Sequence, residues 1–92
     1  MNKAELVELV ANKTGTSKRQ TEESLDYVIG AITKSVARGE KVTLVGFGTF
    51  QRRDRRARKG RDPRTGTEID IPAKKVPAFS AGKQFKSAVN KR

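Results

Sequence analysis

Cysteine, histidine and tryptophan are missing from the chain altogether. Without cysteine there is no disulfide framework and no thiolate nucleophile. Without histidine there is no imidazole base, and without either residue the common zinc sites cannot be built. Aromatic residues are scarce, four Phe and one Tyr. No apolar run approaches the roughly 18 residues of a membrane span, and Met1-Asn2-Lys3-Ala4-Glu5 does not lead into the apolar segment of a signal peptide. The carboxylates form no evident pair for acid–base work. The reading is therefore no enzyme, no catalytic residue, no metal, no cofactor and no membrane. What is abundant is positive charge: 21 Lys and Arg against 10 Asp and Glu in 92 residues, a net charge of +11. The partner of such a chain should be a polyanion.

The charge is unevenly placed. Residues 1–40 hold six basic and six acidic residues, so the whole excess lies in 41–92, with fifteen basic and four acidic. The densest stretch, Arg52 to Arg64, carries Arg52, Arg53, Arg55, Arg56, Arg58, Lys59, Arg61 and Arg64 against Asp54 and Asp62. Arginine dominates, and its planar fork binds phosphate oxygens bidentately. The competing reading is a solvated basic run of the kind that serves as a localisation signal.

Two helices open the chain. Asn2 caps the first, with Glu5 three residues on, and Leu6, Val7, Val10 and Ala11 form its apolar stripe before Gly15 ends it. Ser17 with Gln20 repeats the capping pattern. Leu25, Val28, Ile29, Ile32 and Val36 then follow a 3.6-residue period up to Gly39. From Lys41 the pattern alternates: Val42 and Leu44 read as a strand, Val45-Gly46-Phe47-Gly48 as a tight turn, and Thr49-Phe50 as the start of a second strand. In that turn Gly46 and Gly48 serve the backbone rather than a ligand. Asp62-Pro63-Arg64-Thr65-Gly66 is a turn signal. Pairing of 51–62 with 65–76 around Pro63-Arg64 predicts a two-stranded ribbon roughly 33–40 Å long, with Ile69 and Ile71 on one face. Ser80 is expected to cap a third short helix that turns Phe85, Ala88 and Val89 inward and Lys83 and Lys86 outward.

Without the ribbon, some 65 residues remain to build a core, which is marginal for a lone domain. Yet this remainder holds Phe47, Phe50, Phe79 and Phe85 and the apolar stripe of the second helix. The apolar surface exceeds what three short helices and a small sheet can cover. A dimer is expected, with Leu44, Phe47, Phe50, Phe79, Ile29 and Ile32 in its interface or core. Tyr27 is expected on a helix surface or at the interface. A two-fold dimer would present two ribbons to one cylindrical ligand.

The run Gly46-Phe47-Gly48-Thr49-Phe50, then Arg53, Arg55, Ala57-Arg58 and Gly60-Arg61-Asp62-Pro63-Arg64-Thr65-Gly66, resembles the signature of the bacterial histone-like HU family and its relative, integration host factor. The segments 1–7 and 76–83 fit the same pattern. Asp62 departs from it, since the family more often has Asn before the arm-tip proline. The resemblance implies an α+β fold over 1–92 as a single domain: a helical-hairpin base, a three-stranded antiparallel sheet, a long β-ribbon arm and a short C-terminal helix, intertwined as a dimer. Residues 1–50 and 77–92 would form the dimerisation body and 51–76 the DNA-binding arm. The family uses minor-groove arms with an apolar wedge at the tip.

Carried over by position, the resemblance implies that Arg53, Arg55, Arg58, Arg61 and Arg64 line the arm, that Pro63 is the wedge, and that Lys74 and Lys75 lie near the arm base. Lys83 and Lys86, at the start of the third helix, are expected to meet phosphate. Alternation places residues 53, 55 and 61 on one ribbon face and 58 on the other, unless a bulge intervenes. The expected partner is double-stranded DNA, especially bent, nicked or gapped, bound by a homodimer with low sequence specificity in the nucleoid of the bacterial cytoplasm. A structural RNA-binding protein of ribosomal type is the alternative. A helix-turn-helix regulator fits less well, because the second helix lacks an exposed face rich in Arg, Asn and Gln.

Overall fold

The computed structural model describes residues 1–91 and divides the chain into two compact units, Met1–Lys34 and Ser35–Arg92. In order, the elements are α1 (Lys3–Thr14), α2 (Lys18–Ala37), β1 (Val42–Leu44), β2 (Gly48–Arg55), β3 (Arg58–Arg61), β4 (Glu68–Ile71), β5 (Lys74–Ala81) and α3 (Lys83–Val89).

In the first unit both predicted helix starts are formed. The Asn2 side chain accepts from the Glu5 amide at 2.9 Å, and the Ser17 hydroxyl accepts from the Gln20 amide at 3.0 Å. Gly15 closes α1 in the left-handed conformation, where its amide and that of Thr16 both reach the Ala11 carbonyl. Val7 and Ala11 are buried. Thr21 is buried too, and its hydroxyl is satisfied by Thr16 at 2.8 Å, which in turn bonds Thr14. Lys3 pairs with Asp26 at 2.6 Å across the hairpin.

The second unit begins with the last turn of α2. Gly39 ends that helix at φ 88, its amide bonding Val36 and the Glu40 amide bonding Ser35, which is a Schellman closure. β1, β2 and β5 form the expected three-stranded antiparallel sheet in the order β1-β2-β5. Val45-Gly46 turns the chain between β1 and β2, with Gly46 at φ 87 and the Phe47 amide bonding the Leu44 carbonyl at 2.9 Å. Gly48 is enclosed, because a Cβ there would fall 2.6 Å from the Ser80 carbonyl.

Residues paired across an antiparallel ladder share a face. Val42 opposite Phe50, Leu44 opposite Gly48 and Phe50 opposite Phe79 give one apolar face. All four Phe rings gather in this unit: Phe47 stacks on Phe85 at 5.0 Å, and Phe50 lies 4.8 Å from Phe79. The cluster is open on one side, with Phe47 still 44% and Phe79 41% exposed.

Four expectations are corrected. The ribbon is two ladders, β2–β5 and β3–β4, separated by Arg56-Ala57 on one strand and Pro72-Ala73 on the other. Pro72 has no N–H to give a ladder. The register also differs: Gln51 faces Ala78 rather than Val76, because the tip is centred after Arg64 and the Gly66 amide spans back to the Asp62 carbonyl at 2.7 Å. Ser80 does not cap α3. It pairs with Thr49 inside β5, and Gly82 takes the cap position without a side-chain bond. Of the three residues expected inward on α3, Ala88 and Val89 are instead exposed, Val89 at 71%, on a helix of only seven residues. Among the described residues, no helix is long and apolar enough to cross a membrane.

Candidate nucleic-acid interface

The face of the β1-β2-β5 sheet opposite the Phe cluster carries Thr43, Thr49, Gln51, Arg53 and Arg55, with Lys74, Val76, Ala78 and Ser80 facing them on β5. No acidic residue lies on it. Arg55 stands directly opposite Lys74. Like charges so placed repel and cost stability, so the arrangement is one that an external anion would relieve. Arg53 and Arg55 are exposed, as is Lys74.

Lys75 belongs to the other face, opposite Asp54. Within the second ladder Arg58 faces Ile71 and Gly60 faces Ile69, while Lys59 faces Asp70 and Arg61 faces Glu68. Arg58 and Arg61 are thus on opposite sides of β3, as alternation predicted. The face carrying Arg53 and Arg55 cannot be extended to Arg61 by counting, because Ala57 and Pro72 break the ladder between them. Gly60 leaves room for its neighbour: a Cβ there would meet the Ile71 Cδ1 at 2.8 Å.

The two sides of the second ladder differ in charge. Lys59 pairs with Asp70 at 3.3 Å and Glu68 at 3.7 Å. Among the described residues Arg58 makes no ion pair, and its side chain is exposed. This neutralisation of Lys59 was not legible in composition, although the i-to-partner register exposes it once the tip is placed.

The tip is ordered by its own backbone and by short side chains. The Asp62 amide bonds the Thr67 carbonyl at 2.9 Å, and the Asp62 carboxylate accepts from the Arg64 amide at 2.9 Å. Arg61 donates to the Gly66 carbonyl at 3.2 Å, and Gly66 sits at φ 71. The Asp62 side chain is accordingly turned into the turn and only 27% exposed, whereas the Arg64 side chain is 89% exposed. Pro63 is exposed at the end of this frame. Lys83 and Lys86 are exposed on α3. Nine of the ten basic and tip positions singled out from the sequence therefore fall in three places: the acid-free sheet face with Arg53, Arg55 and Lys74, the distal ladder and tip with Arg58, Arg61, Pro63 and Arg64, and α3 with Lys83 and Lys86. Lys75 stands apart from all three.

Residues 1–90 match the family described as bacterial DNA-binding protein. The DNA-binding protein HU of Staphylococcus aureus is 54% identical over 89 residues, covering 97% of this chain and 99% of that protein. The HU of Geobacillus stearothermophilus is 52% identical over the same length. Among solved structures, an Anabaena HU cocrystallised with DNA matches over 100% of both chains at 49% identity, with a TM-score of 0.90. HU from Thermotoga maritima matches 98% of this chain at 34% identity, with a TM-score of 0.71.

Proposed function

Since the chain belongs to the bacterial DNA-binding protein family, that of the HU proteins, we propose that it is an architectural protein that binds duplex DNA with low sequence specificity and bends it. One observation carries this reading: an acid-free sheet face on which Arg55 and Lys74 are set directly against each other, at the root of an arginine-bearing ribbon. Contacts of this kind address phosphates, which every sequence shares, so affinity is general and specificity comes from deformability. Arg53, Arg55, Lys74, Lys83 and Lys86 hold the duplex against the body. Arg58, Arg61 and Arg64 carry the arm along the minor groove. Lys75 adds charge at the arm base on the opposite face. Residues 51–76 act as the DNA-binding arm, and 1–50 with 77–92 as the dimerisation body.

The working unit is a homodimer. Among the described residues only Val7, Ala11 and Val36 are buried hydrophobics. Leu44, Phe47, Phe79 and Ile29 remain 40–48% exposed, a surface that a second copy would cover together with Phe50 and Ile32. Light scattering at micromolar concentration would give twice the chain mass, and a folded monomer there would refute this part. The place of action is the bacterial nucleoid.

Pro63 enters the base stack at the bend. Its frame of Asp62, Arg61 and Gly66 holds the ring forward, and unstacking one step costs a few kcal/mol that wider phosphate contact offsets. The test is energy transfer between dyes at the two ends of a short duplex, with gel-shift competition among intact duplex, gapped duplex and an RNA hairpin at fixed salt. The parent should bend DNA and prefer the gapped duplex. Pro63→Ala should bind intact duplex almost as well and bend it less. Equal bending by the variant would reduce Pro63 to a turn residue, and preference for the RNA hairpin would favour the RNA-binding alternative.

A further inference from the structure

Eight basic residues lie between positions 52 and 64, and Arg52 alone among them is not exposed: its side chain is only 24% accessible. It is turned back onto the end of α2. Its Nη1 donates to the Ala37 carbonyl at 3.2 Å. Its Nη2 donates to the Asp54 Oδ2 at 3.3 Å, and its Nε lies 2.9 Å from the Oδ1 as an ion-pair contact. All three guanidinium nitrogens therefore have a partner. The group also rests against Gly39, where a Cβ would come within 3.4 Å of its Cζ. The Schellman closure of α2 uses the carbonyls of Ser35 and Val36. The next carbonyl, that of Ala37, has no successor in the helix, and a cation at the C-terminal end of a helix is favoured by the aligned peptide dipoles.

We infer that Arg52 is a positioning residue: it ties the root of the β-arm to the C-terminal end of α2, fixes the direction in which the ribbon leaves the sheet, and makes no phosphate contact. Arg52 and Asp54 sit on the same face of β2, two residues apart, where β2 outruns β1. Beyond Phe50 the sheet is only the β2–β5 pair, and an unsupported two-stranded ribbon is marginal in water. The Arg52–Asp54–Ala37 contact is what braces it at that point. Lysine could not replace the arginine here, because one ammonium cannot meet both carboxylate oxygens in plane and a carbonyl as well.

The consequence for bending rests on the architectural reading above, whereas the anchor itself is tested without DNA. Amide hydrogen exchange on the full-length protein compares the parent with Arg52→Met, which keeps the aliphatic stem, Arg52→Lys, and Asp54→Asn, which is exposed and does not threaten folding. Exchange at residues 52–55 and 74–76 should rise by roughly tenfold in Arg52→Met and less in Asp54→Asn, while α1 is unchanged. On DNA, Arg52→Met should lower end-to-end energy transfer on intact duplex and leave the salt slope of affinity where it was. Unchanged exchange in both Arg52→Met and Asp54→Asn would overturn the anchor, and so would full rescue by Arg52→Lys. A salt slope flatter by about 1.8 per dimer would make Arg52 a phosphate ligand instead. Absence of bending by the parent would refute the architectural reading and leave the exchange result to decide the anchor.

Discussion

Arg58 is the residue whose removal should be most readable. It faces Ile71 across the second ladder and makes no ion pair among the described residues, while its neighbour Lys59 is held by Asp70 and Glu68. If Arg58 neutralises one phosphate per subunit, Arg58→Gln removes two contacts from a dimer. The slope of log affinity against log salt should then flatten by about 1.8. Between 50 and 200 mM salt, parent and variant should accordingly converge by about twelvefold in relative affinity. Fluorescence anisotropy on a labelled duplex at four salt concentrations measures this, and two unrelated sequences should give the same flattening. The paired Lys59 supplies the opposite control. Glu68→Gln with Asp70→Asn leaves it without either carboxylate, and the slope should steepen by up to about 1.8 if the freed ammonium takes a phosphate. An Arg58→Gln variant whose slope equals the parent's would refute the phosphate role, and a loss confined to one sequence would mean that Arg58 reads bases.

Gly48→Ala should cost about 3 kcal/mol and lower the melting temperature by more than about 10 °C, because its Cβ meets the Ser80 backbone as well as the Phe79 ring. Gly60→Ala should cost less than about 1 kcal/mol, since the only close atom is the mobile end of Ile71. With no histidine in the chain, DNA affinity at constant ionic strength should be flat between about pH 5.5 and 7. A titration in that window would point to a perturbed group at the interface. Lys3 has its pKa raised above the ordinary 10.5, first by the hydrogen bond it donates to the Asp26 carboxylate, against some desolvation. A raised amine stabilises the fold below 10.5 and loses that contribution as pH climbs through its folded value. Lys3→Met should therefore differ most from the parent near neutrality and approach it in strongly alkaline melts.

The helical part of the fold was plain in the sequence because caps and periodicity agree there. Asn2, Gly15, Ser17 and Gly39 each do locally what their residue type dictates. The sheet was legible through Val42, Leu44, Gly46 and Phe50, but the ribbon's register was not. Pro63 marked the turn, whereas its centre depends on Gly66 adopting a left-handed conformation and spanning back to Asp62, a choice that a proline signal does not reveal. Pro72 was the overlooked signal, since a missing N–H in the middle of an expected ladder is visible in the sequence alone. Ser80 misled because a serine before a basic amphipathic stretch looks like a cap, while the length of β2 drew it into the sheet. Within the basic run, composition treated all arginines alike. Only the fold separates Arg52, committed to Ala37 and Asp54, from Arg58, which is free of such partners.

The break at Arg56-Ala57 and Pro72-Ala73 takes two residues from each strand, so Arg55 still faces Lys74 below it and Arg58 faces Ile71 above it. Such matching makes the arm's length a quantity that changes only in balanced steps. Adding one residue to the β3 strand alone, beyond the break, would swap the sides of β3 and put Lys59 and Arg61 on the side where Arg58 and Gly60 now lie. Adding one to each strand would preserve the opposition of partners but rotate the tip by half a pleat, turning Pro63 away from its present side. Two on each strand would lengthen the arm by roughly 7 Å and return every side chain to its place. Natural variation in arm length, and any engineered extension meant to cover more of a duplex, should therefore come as paired insertions of two.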